Sequence, residues 1–346
     1  MKLLNILFIA LLLSNLACAQ QKDTLFVAHW NLENLFDTID DPKTEDEEFL
    51  ATGSKEWNND RFDKKIYNLS RVIRSMNNND GPDLLGVCEV EHQSVLDSML
   101  TKYVSDKPYK IAYLESPDER GIDNGIIYNS ARFSLLDVTG HKVDIGNGNE
   151  TRLILEGTFL FDKKDTIYFF VNHWPSRRGG EEKSEPYRIK AAQTLRSEVE
   201  SILSKNKLGR IIIVGDFNDE PTNISITDYL KAKPFFCDSM DIINLSEDTE
   251  SDLFNLSYKA WFNGLGSYKY KDDFNMLDQI IISKELLLGT QIKYECNSFE
   301  VYKPLMMVTR TGKFQGTPFP TYGGSRYLGG YSDHFPVTAK FIINSK

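Results

Sequence analysis

Cysteine is scarce in this 346-residue chain, four in all, and no CxxC motif or Cys/His cluster is present to hold zinc. No apolar run after residue 20 approaches the roughly 20 residues that a membrane-spanning helix needs. Internal repeats and low-complexity linkers are missing as well, which argues against a solenoid or a string of modules. An excess of basic residues is also lacking: Asp and Glu number 50 against 40 Lys and Arg, for a net charge of -10. An acidic chain exerts no long-range pull on polyanions, which disfavours a tight, non-specific nucleic-acid binder. It leaves room for a turnover enzyme with a local basic cleft.

What is there begins with a distinct amino terminus. Lys2 precedes an almost wholly apolar stretch from Leu3 to Leu13, and Ala17-Cys18-Ala19 supplies small residues. This is the layout of a secretory signal peptide, residues 1–19, with cleavage expected after Ala19 and a periplasmic or secreted product. Lipid attachment at Cys18 is the minor alternative, because Asn15 stands where a lipoprotein signal expects a branched residue. Removal of the signal leaves Cys88 in an apolar strand, together with Cys237 and Cys296. The sequence leaves open whether those two pair.

Apolar residues make up 41% of the chain and aromatics 12%, enough for a sizeable core in one domain over 21–346. Strand signals fall at 24–33, 83–90, 109–116, 124–130, 133–138, 152–161, 166–174, 210–216, 275–283, 299–303 and 335–343. Two helical stripes stand out, Phe62-Ile66-Leu69-Ile73 and Tyr187-Ala191-Leu195-Val199-Ile202. Strands dominate and helices fall between groups of them, predicting packed sheets with helices on their outer faces. Residues 37–60 crowd Asp40, Asp41, Glu45, Asp46, Glu47 and Glu48 into a loop that reads as solvated acidic surface. A calcium loop is the alternative, without the spacing or glycine of an EF-hand.

Short polar clusters sit at the ends of apolar strands: Asn31-Leu32-Glu33, Glu89-Val90-Glu91, Asn172-His173-Trp174, Gly215-Asp216-Phe217-Asn218 and Ser332-Asp333-His334. Leu277-Asp278-Gln279 lies inside an apolar run. Each alone is explained by the habit of Asn and Asp to end strands. Together they place Glu89, Asp216, Asp278 and Asp333 where a carboxylate is expensive to bury unless paired or metal-bound. Oxygen-rich ligands suit a hard cation such as Mg²⁺, with Mn²⁺ as a substitute, and zinc would want more His or Cys. Arg120, Arg177 and Arg178 are candidate phosphate contacts, since guanidinium forks match phosphate oxygens; ordinary surface arginines explain them as readily. Tyr268 and Tyr270 are candidates to line a cleft.

The ordered set Trp30-Asn31-Leu32-Glu33, Gly86-Val87-Cys88-Glu89-Val90, Asn172-His173, Gly215-Asp216-Phe217-Asn218, Leu277-Asp278-Gln279-Ile280 and Ser332-Asp333-His334-Phe335-Pro336-Val337 resembles the endonuclease/exonuclease/phosphatase superfamily. The segment Asp118 to Asn129 and the run Asn172 to Gly180 further resemble its bacterial exported members. The resemblance implies a four-layer α/β/β/α sandwich of two mostly antiparallel sheets flanked by helices. It implies Mg²⁺-dependent hydrolysis of phosphate esters, with Glu89, Asn31 and Asp333 at the metal. Asp216 and Asn218 would position water or phosphate, His334 oriented by Asp278 would bind or polarise the phosphate, and His173 would lie beside the scissile group. Gln279 departs from the His or Arg of many relatives, and the signature of inositol polyphosphate phosphatases is missing. A nuclease acting on DNA or RNA is the leading expectation. The alternatives are a phosphatase or diesterase on a small or lipid phosphate, and a non-catalytic binding module. No stable protein partner is implied, and a monomer is the default.

Overall fold

The computed structural model describes residues 23–146, 151–237 and 252–344. The expected signal peptide lies outside the described residues. Fourteen strands build two seven-stranded sheets. In chain order they are β1 (Thr24–Leu35), β2 (Leu84–Val90), β3 (Tyr109–Tyr113), β4 (Asp123–Asn129), β5 (Phe133–His141), β6 (Ile154–Phe161), β7 (Asp165–His173) and β8 (Arg210–Asp216). They continue with β9 (Ala232–Pro234), β10 (Leu253–Asn255), β11 (Asp278–Ser283), β12 (Ile292–Tyr294), β13 (Glu300–Val301) and β14 (Val337–Ile343).

The first sheet runs β12-β14-β1-β2-β4-β3, with β13 also paired to β14; the second runs β5-β6-β7-β8-β11-β10-β9. Pairing is antiparallel except at β1–β2, β7–β8 and β9–β10. Period-two alternation sorts the side chains. On β8, Ile212 and Val214 turn inward to the first sheet, and Ile211 and Ile213 turn outward to a helix. The same split divides Ile280 and Ile282 from Ile281 on β11. Gly86 marks a close approach of the sheets, for a Cβ there would meet Val214 and Val171 methyls at 2.6 and 2.9 Å.

Helices α1 (Asn59–Ser75) and α2 (Gln93–Tyr103) pack on the first sheet, and α3 (Glu181–Lys205) on the second. The result is the expected four-layer α/β/β/α arrangement. Asn58 caps α1 by accepting from the Arg61 amide, and Ile66, Leu69 and Ile73 of the predicted stripe are fully buried. No described helix is long and apolar enough to cross a membrane. Cys237 and Cys296 form a disulfide with Cα atoms 5.6 Å apart, and Cys88 is a buried free thiol.

Candidate active site

Strand register carries three of the predicted residues to one rung of the second sheet. Asp216 at the end of β8 lies opposite His173 of β7 on one side and Asp278 of β11 on the other. On the first sheet Asn31 of β1 is level with Cys88 of β2, one residue before Glu89. The β1–β2 and β2–β4 ladders both shift register here. Glu33, Asn34 and Glu89 take left-handed backbone angles, with φ of 53°, 47° and 61°. Such bulges interrupt pairing and re-aim side chains, at a cost of order 1–3 kcal/mol per strained residue. Asp333 and His334 arrive from the segment just before β14. His334 is anchored there by a backbone bridge to Tyr268 and by its carbonyl accepting from Trp30 Nε1 at 2.9 Å.

Asn31 ties the two sheets together: its Nδ2 donates to Glu89 Oε1 and to Asp216 Oδ2, both at 3.1 Å. The Asn34 amide donates to Glu89 Oε2 at 2.8 Å. His334 Nδ1 and Asp278 Oδ2 are 2.6 Å apart, which turns Nε2 toward Asp216 Oδ2 at 3.9 Å. His173 Nε2 lies 3.7 Å from Glu89 Oε1 and 3.9 Å from Asp216 Oδ2. Asn218 donates its amide to Asp216 Oδ1 at 2.9 Å and its side chain to the Trp174 carbonyl. All eight predicted catalytic and metal residues therefore meet at one edge of the sandwich.

The pKa values of the two imidazoles are shifted in opposite directions. Burial opposes charge on His334, but the Asp278, Asp333 and Asp216 carboxylates outweigh it and raise its pKa well above the usual value. His173 is pushed well below, by burial and then by the charges of Arg152 and Arg120. Asp278 is lowered despite its burial, through His334 and His29. Burial raises Asp216. Asp333 is pushed up to about 7 by burial and by repulsion from Glu33 and Glu89, with His334 and Lys65 opposing.

Crowded carboxylates short of positive charge are the condition a divalent cation relieves, and the oxygens of Glu89 and Asp333 suit Mg²⁺; Asn31, whose Oδ1 accepts the Glu33 amide at 2.9 Å while its Nδ2 faces Glu89, would have to turn its amide over to join them. Asp216, Asp278 and His334 also offer ligand atoms within 4.8 Å of one another, the one such His/Cys/Asp/Glu trio among the described residues. Asp278 and His334 are already committed to each other, so a cation there would have to break their contact.

The arginines divide. Arg120 reaches the site electrostatically through His173 and lies 3.6 Å from Asp118. Arg177 donates to the Asn218 carbonyl at 2.7 Å and pairs with Glu181 and Asp219, so a phosphate would compete with these partners. Arg178 is exposed and makes no hydrogen bond or ion pair among the described residues. Gln279 is turned to scaffolding, bonding the Asp219 carbonyl at 2.7 Å and Asn255 at 2.7 Å.

Four residues entered no sequence-based site. His29 Nε2 stands 3.2 Å from the second oxygen of Asp278. Buried Lys65 bonds the Glu33 and Tyr331 carbonyls and pairs with the Glu33 carboxylate at 3.5 Å. That carboxylate accepts the Thr321 and Tyr322 amides, pinning the loop ahead of Asp333. Arg152 bridges Asp118 at 3.0 Å and the Trp174 carbonyl at 2.9 Å. The Asn31-Leu32-Glu33 cluster pointed toward Glu33; for the other three the sequence carried no signal.

A family model described as the endonuclease/exonuclease/phosphatase family matches residues 26–342. A protein of that family from Bacteroides thetaiotaomicron superposes with a TM-score of 0.57 at 15% identity, over 94% of this chain and 100% of that one. A mannosyl-6-phosphatase from the same organism gives 0.56 at 16%, over 92% and 100%. The human Nocturnin catalytic domain, with bound sulfate, gives 0.54 at 15%, over 94% and 97%. At these identities the likeness is one of fold. No curated protein sequence matches the chain.

Proposed function

Because the chain belongs to the endonuclease/exonuclease/phosphatase family, whose members hydrolyse phosphoester bonds, we propose that it is an exported, Mg²⁺-dependent phosphodiesterase that cleaves DNA or RNA. The observation that carries the reading is the rung on which Asp216 faces two imidazoles, His173 and His334, each 3.9 Å away. That gap is too long for a direct hydrogen bond and suits an intervening oxygen.

Asp216, held by the Asn218 amide, is the group placed to accept the proton of the attacking water. His334, kept protonated by Asp278, pairs with a phosphate oxygen and stabilises the charge that builds there. Neutral His173 donates a hydrogen bond from Nε2 beside the scissile group. Asn31 holds Glu89 and Asp216 at a fixed separation across the sheets. A divalent cation at Glu89, Asn31 and Asp333 supplies positive charge for the phosphate and the departing oxygen.

A polymeric substrate is favoured by the hairpin that pairs Tyr268–Tyr270 with Asp273–Asn275. Tyr268 stacks on His334 with ring centroids 4.6 Å apart, Tyr270 is exposed, and Lys269 and Lys271 flank it. Aromatic faces and cations next to the phosphate position suit bases and further phosphates. A sugar-phosphate monoester is the second reading, suggested by the mannosyl-6-phosphatase relative.

The test is hydrolysis by the mature protein of plasmid DNA, RNA and phosphomonoesters including mannose 6-phosphate, with and without chelator. Cleavage of a nucleic acid that stops with chelator and returns with Mg²⁺ supports the proposal. Monoester turnover alone moves it to the second reading, and chelator-resistant activity refutes the mechanism. Mass spectrometry of the chain recovered from outside the cytoplasm should place its amino terminus just after Ala19.

A further inference from the structure

The segment that leads into Asp333 and His334 is fastened to α1 from inside the protein. Lys65 and Asn68 stand three residues apart on one face of that helix, 1% and 2% exposed. Lys65 Nζ donates to the Tyr331 carbonyl at 2.7 Å and to the Thr321 hydroxyl. Asn68 Nδ2 donates to the Gly330 and Gly329 carbonyls at 2.7 and 3.1 Å. The Glu33 carboxylate, 3.5 Å from Lys65 Nζ, accepts the Thr321 and Tyr322 amides of the same loop. Just beyond Tyr331, Ser332 Oγ donates to the Asn31 carbonyl at 2.7 Å and accepts the His334 amide at 3.0 Å.

Asp333 lies between these anchors. Among the described residues its carboxylate has no hydrogen bond or ion pair of its own, and its neighbours act on it through burial and charge. Its place is therefore set by the backbone on either side. A buried lysine–carboxylate pair is weak evidence for stability, since apolar residues of like volume often serve as well. Here the pair and the amide beside it direct their hydrogen bonds to one segment, the one that ends in Asp333.

We propose that Lys65, assisted by Asn68, is a positioning residue that sets Asp333 at the metal site by holding the loop 321–331. The inference rests on the hydrolase reading, in which Asp333 joins Glu89 at a divalent cation. Residues that orient a metal ligand from behind typically contribute about 10–100-fold to affinity. Charge alone predicts the opposite sign. Lys65 interacts electrostatically with Asp333 and Glu89, so removing its positive charge without moving the loop would tighten the hold on a cation.

Mn²⁺ binding to the mature protein, read from the loss of the free-ion EPR signal, tests the inference without turnover. Lys65→Met keeps the buried stem and removes the donor. Its Kd for Mn²⁺ should rise about tenfold or more, and Asn68→Ala should move Kd in the same direction. Leu69→Ala, which opens the core beneath the same helix, should lower the melting temperature and leave Kd near the native value. Hydrolysis lost in Lys65→Met at low Mg²⁺ should return at high Mg²⁺. Should Lys65→Met fail to fold, Asn68→Ala decides. A Kd unchanged or lowered in the folded variant, or raised as much in Leu69→Ala, overturns the inference and leaves the hydrolase reading standing. A native chain that binds no Mn²⁺, or binds it undiminished in Glu89→Gln, refutes the metal reading itself, and the inference falls with it.

Discussion

Replacing Asp278 by Asn gives the sharpest test of the site. The substitution keeps shape and an accepting oxygen but removes the charge 2.6 Å from His334 Nδ1 and 3.2 Å from His29 Nε2. Two unit charges about 4 Å apart at an effective dielectric of about 20 interact by about 4 kcal/mol. That equals about three pKa units, an upper bound because Asp333 and Asp216 continue to hold His334 protonated. With His334 required as a cation, activity declines as pH rises through its raised pKa. The variant should bring that alkaline limb to lower pH by about one to three units and cut kcat by about 10²–10⁴-fold. Stability follows a matching window. His334, raised, stabilises the fold fully below the ordinary histidine range and loses this as pH rises through its folded value. Asp278, lowered, stabilises above the ordinary carboxylate range and loses this as pH falls through its folded value. The variant should therefore be less stable than the native chain between those limits, and the gap should close beyond either. The assay is a pH profile of kcat on a chromogenic phosphodiester with saturating Mg²⁺, beside denaturant melts at the same pH values. An unmoved alkaline limb with kcat within about threefold of native would refute the reasoning.

Glu89→Gln should raise the Mg²⁺ concentration needed for half-maximal activity by about tenfold or more, read from a metal titration, while the fold persists. Arg152→Met removes the buried guanidinium 3.0 Å from Asp118, leaving only the more exposed Arg120 at 3.6 Å, and should cost about 1–3 kcal/mol in chemical denaturation. Reducing the Cys237–Cys296 bond, which spans 59 residues, should lower unfolding free energy by about 4 kcal/mol, measured by melts with and without a phosphine reductant.

The sequence disclosed what alternation and strand ends can disclose. β8 and β11 were legible because Ile211–Val214 and Ile280–Ile282 form apolar runs buried on both faces. The three-residue strands β9, β10 and β12 were missed, since segments so short carry no period, while β13 fell within the strand signal at 299–303. Helix α2 was overlooked although Val95, Leu96, Met99 and Leu100 give it a buried face. The site residues were legible as carboxylates and histidines placed where apolar strands stop. Lys65, His29 and Arg152 were not, because their tasks depend on elements distant in the chain: Lys65 meets Tyr331 from 266 residues away. A lysine on an amphipathic helix looks like surface until a loop from the far end of the chain closes over it. The strained backbone at Glu89 was invisible for the same reason, arising from pairing on both sides of β2.

The pairing of β1 with β14 joins Thr24 to Ile342 and His29 to Val337, the two ends of the described chain. The segment bearing Asp333 and His334 leads directly into that last strand. During synthesis the first strand can pair with β2 early but must wait for the last strand before its other edge is covered. A chain truncated before residue 334 lacks both that last strand and the imidazole that faces Asp216. Assembly of the site thus comes with a built-in delay, set by topology alone.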